Sequence, residues 1–309
     1  MKLADTISVI VPSYNEEENI EATVNGILDA CANLKCDVIV VDDGSTDNTA
    51  SIVEKLSLKN KKVKLVKHRR NLGKTAAIDT GLLHASGDII VLIDADLQYN
   101  FAEIPKLVEP IISGKADVVN GWRVKRADSL SRRFSSKTYN WLVRRLFHVD
   151  IKDSNSGLKA FKRSALKSIT REFRTDFHRF IIPLAAHSGF RIIEVPLTHR
   201  RRAHGKSKYA SPMRLMSGST DFIALKLTLV FRERPMALFG SVGIISLILG
   251  FIAWIYLLVS KLLYADPILP RFPLAILASL ALLAGLFLIL IGFLAEMITS
   301  IWKEIHPNE

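Results

Sequence analysis

Two uncharged apolar runs set the outer limits on what this chain can fold into. Met236–Ser260 and Phe272–Ala295 contain no Asp, Glu, Lys or Arg. Each is about 24 residues, or about 36 Å of helix, long enough to cross the hydrocarbon core of a bilayer. Neither shows a polar face, unlike the surface helix of a soluble domain. The polar stretch Lys261–Arg271 between them carries Pro267 and Pro270, which stop a helix. The pair therefore reads as a transmembrane hairpin, with spans at about 236–260 and 272–297.

The formal net charge of the 309 residues is +12, and almost all of that excess precedes the hairpin. Positive segments stay on the cytoplasmic side. The long N-terminal part and the tail with Lys303 are expected there, although Lys261, Arg271 and Asp266 in the loop argue weakly against it. No signal peptide is expected, since the apolar run Ile7–Val11 is short and ends at Pro12. Cys31 and Cys36 are the only cysteines and are expected to be reduced and structural.

Ahead of the hairpin, short runs rich in Val and Ile alternate with helical patterns. Ile7–Val11, Val38–Val41, Val63–Val66 and Gly87–Ile93 read as strands, and Val118-Val119 starts a fifth. The segments between them carry helical periodicity. This alternation predicts an α/β domain with a doubly wound, mainly parallel sheet. The fourth strand ends in Asp94-Ala95-Asp96-Leu97-Gln98. Aspartates two apart in an extended chain point to one side, and ligands of open α/β sheets bind beyond the carboxyl ends of strands. Two carboxylates there suit Mg2+ or Mn2+ shared with substrate phosphates. Taken alone, the pair reads more readily as a polar strand end leading into a turn.

The second half of the soluble part is basic. Arg123, Lys125, Arg126, Arg132, Arg133, Lys137, Arg144 and Arg145 are interleaved with Phe134, Tyr139, Trp141, Leu142 and Leu146. That mixture fits an anionic membrane surface better than a merely solvated helix face. A second basic cluster runs from His199 to Lys208. Pro212–Pro235 is amphipathic and reads as an interfacial connector to the first span.

Val11-Pro12-Ser13-Tyr14-Asn15-Glu16, Val41-Asp42-Asp43-Gly44-Ser45-Thr46-Asp47, Asn71-Leu72-Gly73-Lys74 and Asp94-Ala95-Asp96-Leu97-Gln98 occur in this order at strand ends. With Asp153, Ser156-Gly157-Leu158-Lys159-Ala160-Phe161 and the run His199–Tyr209, the set resembles the family 2 glycosyltransferases of GT-A fold. Within that family it is similar to the polyprenyl-phosphate glycosyltransferases, the group of dolichyl-phosphate mannose synthase and the undecaprenyl-phosphate glucosyltransferases. The resemblance covers about residues 5 to 235, and the two-helix tail fits the same group. It implies a GT-A catalytic domain over residues 1–210, a connector over 211–235 and the hairpin with its tail over 236–309.

The resemblance implies an inverting transfer from a nucleoside-diphosphate sugar to an undecaprenyl or dolichyl phosphate. Pro12, Tyr14, Glu16, Asp42, Asp43, Lys74, Asp94, Ala95 and Asp96 then hold the donor nucleotide, with Asp94 and Asp96 catalytic. Asp94, Asp96 and Gln98, the sole glutamine of the chain, form the metal and diphosphate shell. Asp42 and Asp47 are also explained as turn and cap residues, and Lys74 as a solvated lysine at a helix start. A lipid phosphate calls for arginine forks near the interface. Arg123, Arg132, Ser136, Arg202 and Lys208 are the acceptor candidates. A phosphate monoester with a second pKa of about 6 is already ionised, so no base is required. Asp153 and Asp176 stand either as bases or as partners that orient the arginines. Membrane lipid is an expected partner, nucleic acid is not, and homo-oligomers are compatible with the two-helix tail. Two rivals stay open, a processive polysaccharide synthase and a non-catalytic basic protein binding lipid or nucleic acid.

Overall fold

The computed structural model describes residues 6–124, 140–172 except 142, 146 and 148, then 178, 180–200, 225, 227, 229, 234–264 and 271–305. The basic segment after Val124 and most of the run from 201 to 233 therefore lie outside the described residues. So do Arg132, Ser136, Asp176, Arg202, Lys208 and nearly all of the expected connector. The chain divides into two compact units, Met1–Ser211 and Pro212–Glu309.

The first unit opens with β1 (Ile7–Ser13), α1 (Ile20–Ala30), β2 (Cys36–Asp42), α2 (Thr49–Lys59), β3 (Val63–Lys67), α3 (Lys74–His84) and β4 (Ile89–Leu92). A turn of 3-10 helix (Phe101–Glu103) leads into α4 (Ile104–Ile112) and β5 (Val118–Arg123). Then come β6 (Lys159–Lys162), α5 (Arg163–Glu172), α6 (Ile181–His187) and β7 (Ile192–Leu197). The seven strands form one sheet in the order β3-β2-β1-β4-β6-β5-β7. The strands that read as continuous apolar runs are central ones: Val9–Val11, Val38–Val41 and Ile89–Val91 are all buried, as expected where helices cover both faces.

The order reverses between β1 and β4, since β2 and β3 lie to one side of β1 and the later strands to the other. Such a reversal opens a crevice beyond the strand ends. The register aligns those ends, with Ile10 beside Leu92 and Ser13 beside Asp42. β4 is shorter than its apolar sequence: Asp94–Gln98 leaves the sheet, and Leu97 takes φ 57°. β6 runs antiparallel to both neighbours, pairing Leu92 and Asn120 with Lys159. The sheet is mixed and mainly parallel.

The second unit contains α7 (Pro235–Tyr264) and α8 (Phe272–Ile305). Both are long and apolar enough to cross a membrane. The two backbones approach closely at small residues, as lipid-embedded helices do in the absence of a hydrophobic drive. A Cβ on Gly285 would lie 2.7 Å from the Gly243 carbonyl oxygen. Ser246 donates to the Ala281 carbonyl at 2.8 Å. Glu296 of α8 accepts from the Met236 N–H at 3.1 Å, satisfying a free donor in the first turn of α7. The start of α7 and the end of α8 therefore lie at the same end of the hairpin.

Beneath the sheet's other edge, Asp117 accepts from Lys162 Nζ at 2.7 Å and from Arg191 Nε at 3.0 Å, joining β5, β6 and the entry to β7. Hydrogen bonds from Arg191 outweigh burial and hold its carboxyl below the usual carboxylate range. A depressed carboxylate stabilises the fold above its unfolded pKa of about 4 and loses that contribution as pH falls through the folded value. Asp117→Asn is expected to lower the melting temperature at pH 7 by roughly 2–4 °C, equivalent to about 1 kcal/mol for a partly exposed network. The gap between the two melting temperatures should shrink as pH falls below about 4 and close only below the depressed pKa of Asp117; a gap that does not shrink over that range rules this account out.

Candidate active site

One cavity of about 270 Å³ opens where the strand order reverses. Its wall brings together Pro12, Tyr14, Glu16, Asp43, Lys74, Asp94, Ala95, Asp96, Gln98 and Arg123, ten of the residues singled out from sequence. Asp42 is not among the lining residues. It is buried, and its Oδ1 accepts from the Ser45 hydroxyl and, at 3.4 Å, from the Ser45 N–H. That geometry is a turn lock. Asp47 also closes local structure, accepting from the Thr49 N–H at 3.0 Å and the Glu17 N–H at 3.2 Å.

Asp43 organises the rim. Its Oδ1 accepts from the Leu72 N–H at 2.9 Å and meets His68 Nδ1 at 2.7 Å; its Oδ2 accepts from the Gly73 N–H at 2.8 Å. His68 in turn contacts the Thr80 hydroxyl at 2.9 Å. The carboxylate thus fixes the loop that delivers Lys74 at the first position of α3. Lys74 reaches across the cavity and pairs with Asp94. Burial pushes the Asp94 pKa up, but the Lys74 ammonium, aided by the charges of Lys159 and His178, brings it below its ordinary value. Asp94 is ionised at neutral pH.

The Asp94–Gln98 loop is held from two sides. Thr23 of α1 donates to the Ala95 carbonyl at 3.1 Å, and the Gln98 N–H donates to Asp96 Oδ1 at 3.3 Å. The Gln98 side chain faces the Arg200 carbonyl at 3.5 Å, while the Arg200 N–H donates to the Gln98 carbonyl at 2.9 Å. Gln98 therefore couples the loop to the start of the second basic cluster. Asp94 and Asp96 present two hard oxygen donors to the cavity. Among the described residues no group of three His, Cys, Asp or Glu gathers; a divalent cation held by Asp94 and Asp96 would need further oxygen ligands, which a diphosphate could supply.

Arg123 lines the same cavity. Its Nε and Nη2 form a fork on Asp153, at 2.7 Å to Oδ2 and 3.0 Å to Oδ1, and Nη2 also donates to the Asn155 carbonyl at 3.0 Å. Asp153 is only 1% exposed. Its own backbone is set by Glu194, which accepts from the Lys152 and Asp153 N–H groups. A carboxylate engaged on both oxygens by one guanidinium is placed to orient that guanidinium, not to collect a proton.

The sequence reading assigned no role to Tyr99, Lys159 or His178, which also line the cavity. The Tyr99 hydroxyl accepts from the Gly157 N–H at 2.6 Å, and burial raises its pKa. Thr75 of α3 contacts His178 Nδ1 at 2.8 Å. Lys159 is 5% exposed, and its Nζ donates to the Ser156 carbonyl. Burial, helped by the nearby cations Lys74 and Arg123, pulls its pKa down to about 7 against the opposing charges of Asp153 and Asp94. The stretch Ser156–Phe161 was visible as a motif, but nothing in it marked Lys159 as a cavity residue.

Residues 8–181 match the description Glycosyl transferase family 2. The chain belongs to this family. Its curated relatives include an undecaprenyl-phosphate 4-deoxy-4-formamido-L-arabinose transferase of Edwardsiella ictaluri, 31% identical over 99% of this chain and 93% of the relative. A dodecaprenyl-phosphate galacturonate synthase of Rhizobium johnstonii is 32% identical over 98% of this chain and 90% of the relative. Among solved structures, glucosyl-3-phosphoglycerate synthase from Mycobacterium tuberculosis is similar in its complex with Mn2+ and UDP-glucose. That likeness has a TM-score of 0.51, with 27% identity over 73% of this chain and 78% of the other. Its complex with UDP gives a TM-score of 0.52 and 26% identity over 72% and 79%.

Within this family 2 site, Gly157 is required by close approach. A Cβ there would lie 2.4 Å from Asp94 Oδ2 and 2.9 Å from Asp94 Cγ. Gly157→Ala is expected to displace the Asp94 carboxylate and cut the transfer rate by about 10- to 100-fold, the order expected for a 1 Å misplacement, with the melting temperature little changed. Full activity in the folded variant would show that Asp94 yields without consequence.

Proposed function

We propose that this family 2 glycosyltransferase moves a sugar from a nucleoside diphosphate to a polyprenyl phosphate held in the membrane by the same chain. The observation that carries the reading is that Asp94, Asp96 and Arg123 line one cavity at the strand-order reversal. Near-full-length similarity to polyprenyl-phosphate sugar transferases supports it, and so does the pair of membrane-length helices.

In this reading Pro12, Tyr14, Glu16 and Asp43 border the nucleotide, and Lys74 with Asp94, Ala95 and Asp96 borders the diphosphate. Asp42 acts on that side through its turn. A divalent ion, Mg2+ or Mn2+, held by Asp94 and Asp96 with Gln98 beside them would neutralise charge on the departing diphosphate. Arg123, pre-oriented by Asp153, receives the acceptor phosphate, together with Arg132, Ser136, Arg202 and Lys208. One phosphate oxygen forms a bond to the anomeric carbon as the bond to the diphosphate oxygen breaks. The configuration inverts, and the nucleoside diphosphate leaves with the bonding electrons. The attacking oxygen is already ionised, so the residues position and stabilise charge rather than move a proton.

The reading also takes residues 1–210 as the catalytic domain, 211–235 as the connector and 236–309 as the anchor. The catalytic domain and the tail are placed in the cytoplasm, where nucleotide sugars are found. Assembly of several copies through the apolar hairpin faces belongs to the same proposal.

The test incubates membranes containing the full chain with a panel of nucleotide sugars and a polyprenyl phosphate, and identifies the lipid product by mass spectrometry. One donor should give a lipid-phosphate-linked sugar; no product from any donor refutes the reading. Asp96→Ala is expected to lower the rate by about 1,000-fold or more, since it removes charge stabilisation at the leaving group. Asp153→Asn should keep a measurable rate, with a loss of about 10- to 30-fold expressed mainly in the KM for polyprenyl phosphate. A dead Asp153→Asn enzyme that still binds both substrates would instead make Asp153 a general base.

A further inference from the structure

Three Lys and Arg side chains line the described walls of the cavity, and two of them already have carboxylates. Lys74 pairs with Asp94, and Arg123 is forked on Asp153. Lys159 donates to a neutral carbonyl, that of Ser156, and among the described residues it makes no ion pair. A cation buried at 5% exposure without a counter-ion is costly unless something anionic completes the site. The sheet explains why it sits there. β6 is antiparallel, so it enters the sheet at the edge where β4 and β5 leave. Its first residue is flanked by Leu92, two residues before Asp94, and by Asn120, three before Arg123.

We propose that Lys159 is a binding residue for the acceptor, holding an oxygen of its phosphomonoester between Arg123 and the departing diphosphate. The proposal rests on the function argued above and names a contact that the basic clusters of the sequence do not supply. Lys159 stands on the line from the donor side to the acceptor side, and Ser156 fixes its ammonium without neutralising it. A phosphate arriving at Arg123 supplies the missing anion. The carboxylates that might otherwise compensate Lys159, Asp94 and Asp153, are each turned to another cation.

The experiment compares the full-length wild-type chain with Lys159→Met and Lys159→Arg in membranes, measuring transfer against undecaprenyl phosphate and against the nucleotide sugar separately. Lys159→Met should lose about 30-fold or more in kcat/KM for undecaprenyl phosphate, the size of one charge-assisted contact. Its KM for the donor should stay within about threefold of wild type, which also shows that the cavity is intact. Lys159→Arg should recover most of the loss. Should Lys159→Met fail to fold, Lys159→Gln takes its place. An unchanged kcat/KM for undecaprenyl phosphate in either neutral variant overturns the proposal. So does a loss confined to the donor KM, which would place Lys159 on the diphosphate, or an equal loss in Lys159→Arg. A wild-type chain that transfers no sugar to undecaprenyl phosphate from any donor refutes the functional reading itself, a result distinct from each of these.

Discussion

The site depends on the pairing of Lys74 with Asp94 across the cavity. Asp94 follows a strand that is buried along its length and is itself only partly exposed, and the cation that reaches it keeps it ionised. Lys74 can do so because Asp43 clamps the preceding loop through the N–H groups of Leu72 and Gly73. The second strand thus controls the fourth through α3. On the other side Gly157 leaves room for the Asp94 carboxylate where any Cβ would intrude. Asp94 is fixed in both charge and position before any ligand arrives, which is what a preorganised anion or cation site requires.

The antiparallel β6 accounts for the rest of the arrangement. A sheet wound only with parallel crossovers would separate the ends of β4 and β5 by strands leaving in the same direction. Inserting one strand that enters at that edge places Lys159 and the Asn155–Gly157 turn between them. Glu194 of β7 then holds Asp153, and Asp153 holds Arg123. Two strands and the loop before β6 are needed to aim one guanidinium. This explains why Asp153 is buried despite its charge: it is one member of a chain of carboxylate and cation contacts, each satisfying the next.

Much of this was legible in sequence, for identifiable physical reasons. Buried parallel strands are apolar on both faces, so Val9–Val11, Val38–Val41 and Ile89–Val91 declared themselves. The aspartates at their ends stood out against that background. The hairpin was legible because lipid permits few charges over some 20 residues. β6 was not: four residues bounded by Lys159 and Lys162 carry neither an apolar run nor a clean alternation. The different tasks of Asp42 and Asp43 were equally hidden, since adjacent aspartates look alike until the turn and the clamp are seen. Arg123 was picked out by charge, and Asp153 stood either as a base or as a partner for the arginines, but which arginine it would fork could not be read from a spacing of 30 residues.

The contrast between paired and unpaired cations explains how a strongly basic protein keeps a selective site. Net charge draws anions to a surface without distinguishing them. Inside the cavity, Lys74 and Arg123 have their charges balanced by Asp94 and Asp153, so an incoming phosphate must compete with a carboxylate for either. Only a ligand that brings enough negative charge to engage several of these groups together gains more than it displaces. A diphosphate on one wall and a phosphomonoester on the other meet that requirement jointly. A single small anion meets it poorly. The carboxylates therefore act as a threshold as well as a scaffold, and in the function proposed above the hairpin raises the local concentration of a phosphate carried on a lipid.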